Sequence, residues 1–292
     1  MPGSEAPLFS VLLPTHNRAD VVGAAIGALL EQSCKDFELL LVGDGCTDGT
    51  AEVVAGFKDD RIRWFDLPKA PHFGYANRNI ALREAKGELI AFAAHDDLLL
   101  PDHLEVMARA MERPEAALAY SRPLWIRDDG VILPFFVNLK TPRAFNAFMA
   151  KVNTIPASCF VHRRSVFEEV GYWDESLSKL GDWDLWKRIL RSAGRPGLVF
   201  QRAPTTLHFR ATWRDVGEWG PTPLPYLSAM ADARKHWPPG LSLPVENDAG
   251  PPQHQVADLL AAEPQRIAAL RTGVLALEDE IAWEHCLDRA FR

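Results

Sequence analysis

The sequence predicts an α/β fold on a mainly parallel, mixed sheet, and three observations carry that prediction. Apolar runs of strand length alternate with helix-like patterns over roughly the first hundred residues. Several of those runs end in polar loops that hold carboxylates, above all Ala94-His-Asp-Asp97. After His208 a proline-rich stretch leads into a helical C-terminal extension.

Residues 9–13 form a short apolar run closed by Pro14, and Asp20 then precedes Val21, Val22 and an Ala/Leu/Ile pattern reaching Leu30. That is strand, loop, helix. The grammar repeats with a strand over 37–42, a Gly/Asp/Thr loop over 43–50, a helix over 51–57 and a short strand near 62–65. A helix over 75–86 and a strand over 88–94 follow, and such alternation implies parallel strands with helices on both faces. From Ala117 the strands shorten, to 117–120, 131–135 and 158–161, before a helix from about 183 to 192. Pro221, Pro223, Pro225, Pro238, Pro239, Pro244, Pro251 and Pro252 mark a wrapping connector with one helix around 226–236. In the last helix Ile267, Leu270, Val274, Leu277 and Ile281 form an a/d-type stripe, which either packs on its own domain or makes a homodimer contact.

The bulk numbers narrow the classes. A chain of 292 residues with 47% hydrophobic content suits one large domain with an appendage. Its net charge of −7 argues against a nucleic-acid partner. Cys34, Cys46, Cys159 and Cys286 are too dispersed for a zinc site or disulfide framework, and reduced thiols fit a cytoplasmic location. No apolar run approaches the roughly 18 residues of a membrane span, so membrane contact is expected to be peripheral at most.

Chemistry concentrates where strands end. Charged side chains seldom terminate a buried strand unless paired, hydrated or bound to a cation, and open α/β sheets bind ligands at the carboxyl ends of their strands. Acids before the helix opened by Pro101-Asp102 have a capping alternative. Two further loops, Pro14-Thr-His-Asn-Arg18 and Gly43-Asp-Gly-Cys-Thr-Asp48, are expected to converge on Asp96-Asp97. With these three loops the chain resembles a family 2 glycosyltransferase of the GT-A fold, an αβα sandwich. Tyr75-Ala-Asn-Arg-Asn79, Ala85-Lys-Gly-Glu88, Val170-Gly-Tyr-Trp-Asp-Glu175 and Gly181-Asp-Trp-Asp-Leu-Trp-Lys-Arg188 extend the resemblance over residues 8–210.

The resemblance implies a catalytic domain over 1–210, with a nucleotide-binding half to about 115 and an acceptor half over 116–210, followed by the connector and helices of 211–292. It implies an inverting transferase that moves a sugar from a nucleoside diphosphate, UDP favoured, to a hydroxyl or amine of a carbohydrate or glycoconjugate. Pro14, Thr15, Asn17, Arg18, Asp44, Arg78 and Asp96 would bind the nucleotide sugar, with Asp44 accepting from an imide N–H of the base. Asp97, joined by His208, would hold a divalent metal, Mn or Mg. Asp182 would be the general base, and Trp183 and Trp186 are candidates for an acceptor platform. Turn formation and capping are the structural alternatives for Thr15, Asn17 and Asp48. Gly43 and Ala94 stand where relatives often carry Asp, thinning the carboxylate shell. A non-catalytic sugar-nucleotide binder and a sugar-phosphate nucleotidyltransferase are the rival readings, the latter opposed by the lack of a Gly-rich loop after the first strand.

Overall fold

The computed structural model describes residues 6–209, 224–233, 237–246 and 248–290. Its strands are β1 (Phe9–Thr15), β2 (Phe37–Asp44), β3 (Ile62–Leu67), β4 (Leu89–Phe92), β5 (Leu98–Leu99), β6 (Leu118–Ser121), β7 (Leu124–Ile126), β8 (Ile132–Pro134), β9 (Phe160–Arg163), β10 (Leu198–Gln201) and β11 (Thr206–Phe209). Seven form the central sheet in the order β10-β6-β9-β4-β1-β2-β3. All its pairings are parallel except those of β9, which runs antiparallel to β4 and β6. The fold is the mixed, mainly parallel α/β architecture that the sequence predicts.

The helices are α1 (Val22–Leu30), α2 (Thr50–Gly56), α3 (Tyr75–Arg83), α4 (His103–Met111), α5 (Pro142–Ala150), α6 (Val166–Val170), α7 (Gly181–Ala193), α8 (Leu224–Ala233), α9 (Pro252–Ala262) and α10 (Gln265–Ala290). Strand pleat sends alternate side chains to opposite faces, so β1 feeds two cores. Leu12 joins Leu82 of α3 and Trp186 and Ile189 of α7 on one face. Val11 and Leu13 join Ile26 and Leu29 of α1 and Met107 of α4 on the other. Burial on both faces explains why β1 and β2 read as unbroken apolar runs.

The four-stranded sheet β5-β11-β7-β8 was not foreseen: β8 falls on the expected strand 131–135, but β5, β7 and β11, of two to four residues, carry no readable periodicity. Its antiparallel pair Leu207↔Leu98 places the residues just before β5 beside His208. This sheet packs with α9 and α10 in a third core, which contains Leu270, Val274 and Leu277, with Ile267 and Ile281 against it. The a/d stripe is therefore consumed inside the chain, and its alternative use as a homodimer contact is withdrawn.

Thr141 caps α5 by accepting from the Ala144 N–H, and Pro142 sits in the first turn. Pro252 likewise opens α9 rather than breaking a helix. Residues 210–223 of the connector and 234–236 at the end of its expected helix lie outside the described residues. Among the described residues no helix is long and apolar enough to cross a membrane.

Candidate active site

A cleft of about 380 Å³ opens at the carboxyl ends of β1 and β2, where a parallel sheet leaves room for a ligand. Pro14, Thr15, His16, Asn17 and Arg18 form one wall, Asp44 the floor, and Lys69, His72, Phe73 and Gly74 the opposite rim, with Arg78 and His95 completing it. Register explains the meeting, since Thr15 pairs with Gly43, one residue before Asp44. Arg18, Lys69 and Arg78 outnumber Asp44 among the charged lining, which favours an anionic ligand.

Asp44 is buried and held from three sides. Its Oδ1 accepts from Asn77 Nδ2 at 2.7 Å and from the Ala70 N–H at 2.8 Å, while Oδ2 faces the Lys69 ammonium. Gly74 makes this packing possible: its φ is +72°, and a Cβ there would stand 2.5 Å from Asp44 Oδ2. Thr15 Oγ1 is buried without a hydrogen-bond partner among the described residues, at the cleft wall, a polar atom that a ligand can satisfy. His16 Nδ1 lies 2.7 Å from the Asp44 carbonyl and His95 Nδ1 3.2 Å from that of Pro14, so each ring donates from Nδ1. Neither ring nor Lys69 was singled out from sequence, because motif spacing gives no weight to variable positions or to the path of the 68–74 loop.

Asn17 and Asp48 turn out to build the loops. Asn17, at φ +50°, accepts from the Thr47 N–H at 2.7 Å. Asp48 accepts from the Ala19 and Thr50 N–H groups, each at 3.0 Å, and from Thr50 Oγ1 at 2.5 Å. Those N–H bonds and the Thr50 hydroxyl outweigh desolvation and hold the Asp48 carboxyl below its ordinary pKa. Asn17 still borders the cleft, and the Arg18 side chain lies beside Asp20 at 3.5 Å. Cys46 and Cys159 are both pushed up in pKa by burial, so neither is poised as a thiolate nucleophile.

Asp96 and Asp97 are buried at the end of the β4 segment. Asp97 Oδ1 lies 2.7 Å from His208 Nδ1, and Oδ2 accepts from Ser158 Oγ at 2.5 Å. Ser158 Oγ in turn accepts from the Ala94 N–H at 3.1 Å, and the Ser158 carbonyl accepts from Thr206 Oγ1, also at 3.1 Å. This buried serine, absent from the sequence expectations, ties the two chain segments together. Among the described residues no group of three or more His, Cys, Asp or Glu converges on one point. The donor chemistry nonetheless suits a hard divalent cation, since one carboxylate and one imidazole can be completed by phosphate oxygens and water.

Leu180, at φ +62°, turns the chain into α7, and the Gly181 N–H donates to the Tyr75 hydroxyl at 2.9 Å. Asp182 thereby stands in the first turn of α7, its side chain 37% exposed and its Oδ1 3.5 Å from Arg78 Nη1. Asp184 pairs with Arg188 at 2.8 Å. Trp186 is wholly buried between Phe92 and Phe160, so its ring is withdrawn as an acceptor platform. Trp183 is half-buried, with Nε1 donating to the Phe148 carbonyl at 2.8 Å. Helical spacing alone could not separate the two rings.

The fold is of GT-A architecture. The profile of Glycosyl transferase family 2 matches residues 10–171, more than half of the chain, and the chain belongs to that family. It is 27% identical over 198 residues to an uncharacterized glycosyltransferase of Rickettsia felis, covering 64% of this chain and 32% of that one. It is 30% identical over 151 residues to TuaG of Bacillus subtilis, provisionally named a teichuronic acid biosynthesis glycosyltransferase, covering 51% of this chain and 59% of that protein. The chain thus spans less than two thirds of either relative. Among solved structures, Staphylococcus aureus TarS 1–349 in complex with UDP-GlcNAc superposes with a TM-score of 0.60 at 18% identity, over 76% of this chain and 64% of that one. The mannosyltransferase PcManGT of Pyrobaculum calidifontis, in complex with GDP-Man and Mn2+, gives 0.53 at 17% identity, over 98% and 80%. These two likenesses establish the fold.

Proposed function

We propose that this chain is an inverting glycosyltransferase that moves a sugar from a nucleoside diphosphate, UDP favoured, to a hydroxyl or amine of a carbohydrate or glycoconjugate. The observation that carries the reading is the approach of Asp182 to Arg78 at the cleft, a carboxylate base beside the cation suited to a diphosphate. The solved relatives bound to UDP-GlcNAc and GDP-Man support the choice of donor class.

Asp44, positioned by Asn77 and the Ala70 N–H, accepts from the base imide, and Thr15 offers its hydroxyl to the nucleoside. Pro14, Asn17 and Arg18 border the nucleotide, and Asp96 lies toward the ribose. Arg78 gives the diphosphate paired N–H donors. Asp97 and His208 would hold a divalent cation, Mn or Mg, which would supply neutralising charge to the departing diphosphate. The acceptor oxygen or nitrogen attacks the anomeric carbon from the face opposite the diphosphate, and the bond to the diphosphate breaks as the new one forms. Asp182 takes the acceptor's proton, and the diphosphate leaves with the bonding pair. Residues 1–115 serve the donor and 116–210 the acceptor, while α9 and α10 buttress the smaller sheet.

A thermal-shift panel of UDP, GDP, dTDP and CDP, with and without Mn, tests this reading, since a ligand of the folded state raises its melting temperature. At least one nucleotide is expected to stabilise the protein, and more so with Mn. A flat panel refutes the donor site.

A further inference from the structure

We propose that Arg271 of α10 is a positioning residue for the cation site: it pins the register of β5 against β11, and that register sets Asp97 opposite His208. This inference rests on the reading of Asp97 and His208 as the ligands of a divalent cation.

Register makes the pair. Leu99 faces Thr206 and Leu98 faces Leu207, so one further step of the same antiparallel ladder brings Asp97 opposite His208. Directly opposed residues share a face of the sheet, and these two side chains accordingly meet at 2.7 Å. A slip of one residue would turn one of them to the other face. Yet β5 is only two residues long, too short to hold a register by its own ladder. In the other direction the ladder reaches the bond from the Leu100 N–H to the Thr205 carbonyl and then meets Pro101 and Pro204, which have no N–H to continue it.

Arg271 takes over at that point. Its Nη1 and Nη2 donate to the two carboxylate oxygens of Asp102, each at 2.8 Å, while Nη2 and Nε donate to the Pro204 carbonyl at 3.1 and 3.2 Å. One planar group thus joins the chain just after β5 to the chain just before β11, and its fork fixes angle as well as distance. His103, with Nδ1 2.8 Å from Thr205 Oγ1, closes the same junction. Gln32 and Ser33 bind the carbonyls of Leu100 and Pro101, but they tie them to the end of α1 and not to the strand that carries His208. β11 is separately paired with β7 through Leu207, His208 and Phe209, so β5 is the strand whose register Arg271 decides. Asp102 lies five residues beyond Asp97, and Pro204 four before His208, so Arg271 acts through the strands and touches neither ligand.

Titration of Mn in the presence of UDP, read by electron paramagnetic resonance of free Mn, tests the pin in wild type, Arg271→Met, Arg271→Lys, Asp102→Asn and the Met/Asn double variant. Calorimetry of UDP without metal accompanies it, and circular dichroism sets a working temperature below the melting of every variant. Arg271→Met is expected to bind Mn about 3- to 30-fold more weakly than wild type, with metal-free UDP affinity unchanged because the cleft above Asp44 lies on other strands. Asp102→Asn should weaken Mn binding in the same direction, and adding it to Arg271→Met should cost nothing more. Arg271→Lys, a single point charge in place of the fork, should recover part of the loss. Mn affinity within about twofold of wild type in both Arg271→Met and Asp102→Asn, or an equal loss of metal-free UDP binding, overturns the pin while leaving the cation site standing. A wild type with no saturable Mn binding overturns both the pin and the reading beneath it. Asp102→Asn carries the test should Arg271→Met fail to fold.

Discussion

The Asp97 carboxylate and the His208 ring, 111 positions apart in the chain, meet at 2.7 Å because the short β5 and β11 strands pair antiparallel beside them. Ser158 fixes the other carboxylate oxygen at 2.5 Å. An outer partner of this kind orients a ligand and tunes what it can hold.

Ser158→Ala is therefore expected to weaken Mn binding by about 10- to 100-fold in the presence of UDP. Electron paramagnetic resonance of free Mn during a titration reads this directly. Ser158→Thr, which keeps the hydroxyl, should recover part of the loss; equal affinity in wild type and Ser158→Ala would show that the serine is only packing.

Gly74→Ala should damage both stability and nucleotide binding. The backbone there has φ +72°, and the added methyl collides with Asp44 Oδ2. The strain and collision together are expected to cost about 1–3 kcal/mol, measurable by urea denaturation, with UDP affinity falling as Asp44 is displaced.

Two buried histidines set an acid limit on stability. Burial lowers His103 to about 4, with Asp102 and a Thr205 contact acting in the opposite direction, and burial lowers His162 to about 4 against a bond to the Arg163 carbonyl. Both rings are neutral when folded but take a proton when unfolded below 6.5, so stability is full above that pH and declines toward 4. The steepest loss should approach about 2.7 kcal/mol per pH unit for the pair. Urea melts between pH 7.5 and 4.5 check the slope; half that slope would mean that one ring is hydrated, and a flat profile would contradict both.

The C-terminal helix is latched by charge as well as by its apolar stripe. Arg122, only 1% exposed, donates to Glu278 at 2.7 Å, and Arg271 donates twice to Asp102 at 2.8 Å. Glu278→Ala strands the Arg122 guanidinium and is expected to cost about 2–4 kcal/mol, below the full range for buried pairs because Glu278 is 26% exposed. A melting curve unchanged from wild type would refute the latch.

Trp186→Ala should behave as a core deletion, costing about 3–5 kcal/mol. Trp183→Ala should cost less, since that ring is half-buried. Chemical denaturation of the two variants separates the roles; equal losses would contradict the placement of Trp186.

What could be read from the chain follows from how local each signal is. β1, β2 and β4 announced themselves because burial on both faces demands continuous apolar residues; Asp44 closes β2, and the loop after β4 carries Asp96 and Asp97. The smaller sheet escaped because pairing of Leu98 with Leu207 depends on tertiary proximity. Ser158 and Lys69 escaped for the same reason, each meeting its carboxylate across a long stretch of chain. Pro252 misled because a helix accepts proline in its first turn. Asn17 and Asp48 show the converse, in which motif residues act mainly by shaping the loop that presents their neighbours.

The central claim is that the cleft above Asp44 binds the nucleotide of a sugar donor. Titration calorimetry of UDP with Mn into wild type and Asp44→Ala tests it most directly. The predicted result is one saturable site in wild type and at least about tenfold weaker binding in a folded Asp44→Ala, the loss expected for a hydrogen bond to a buried charged group. Equal affinity in the two proteins would contradict it.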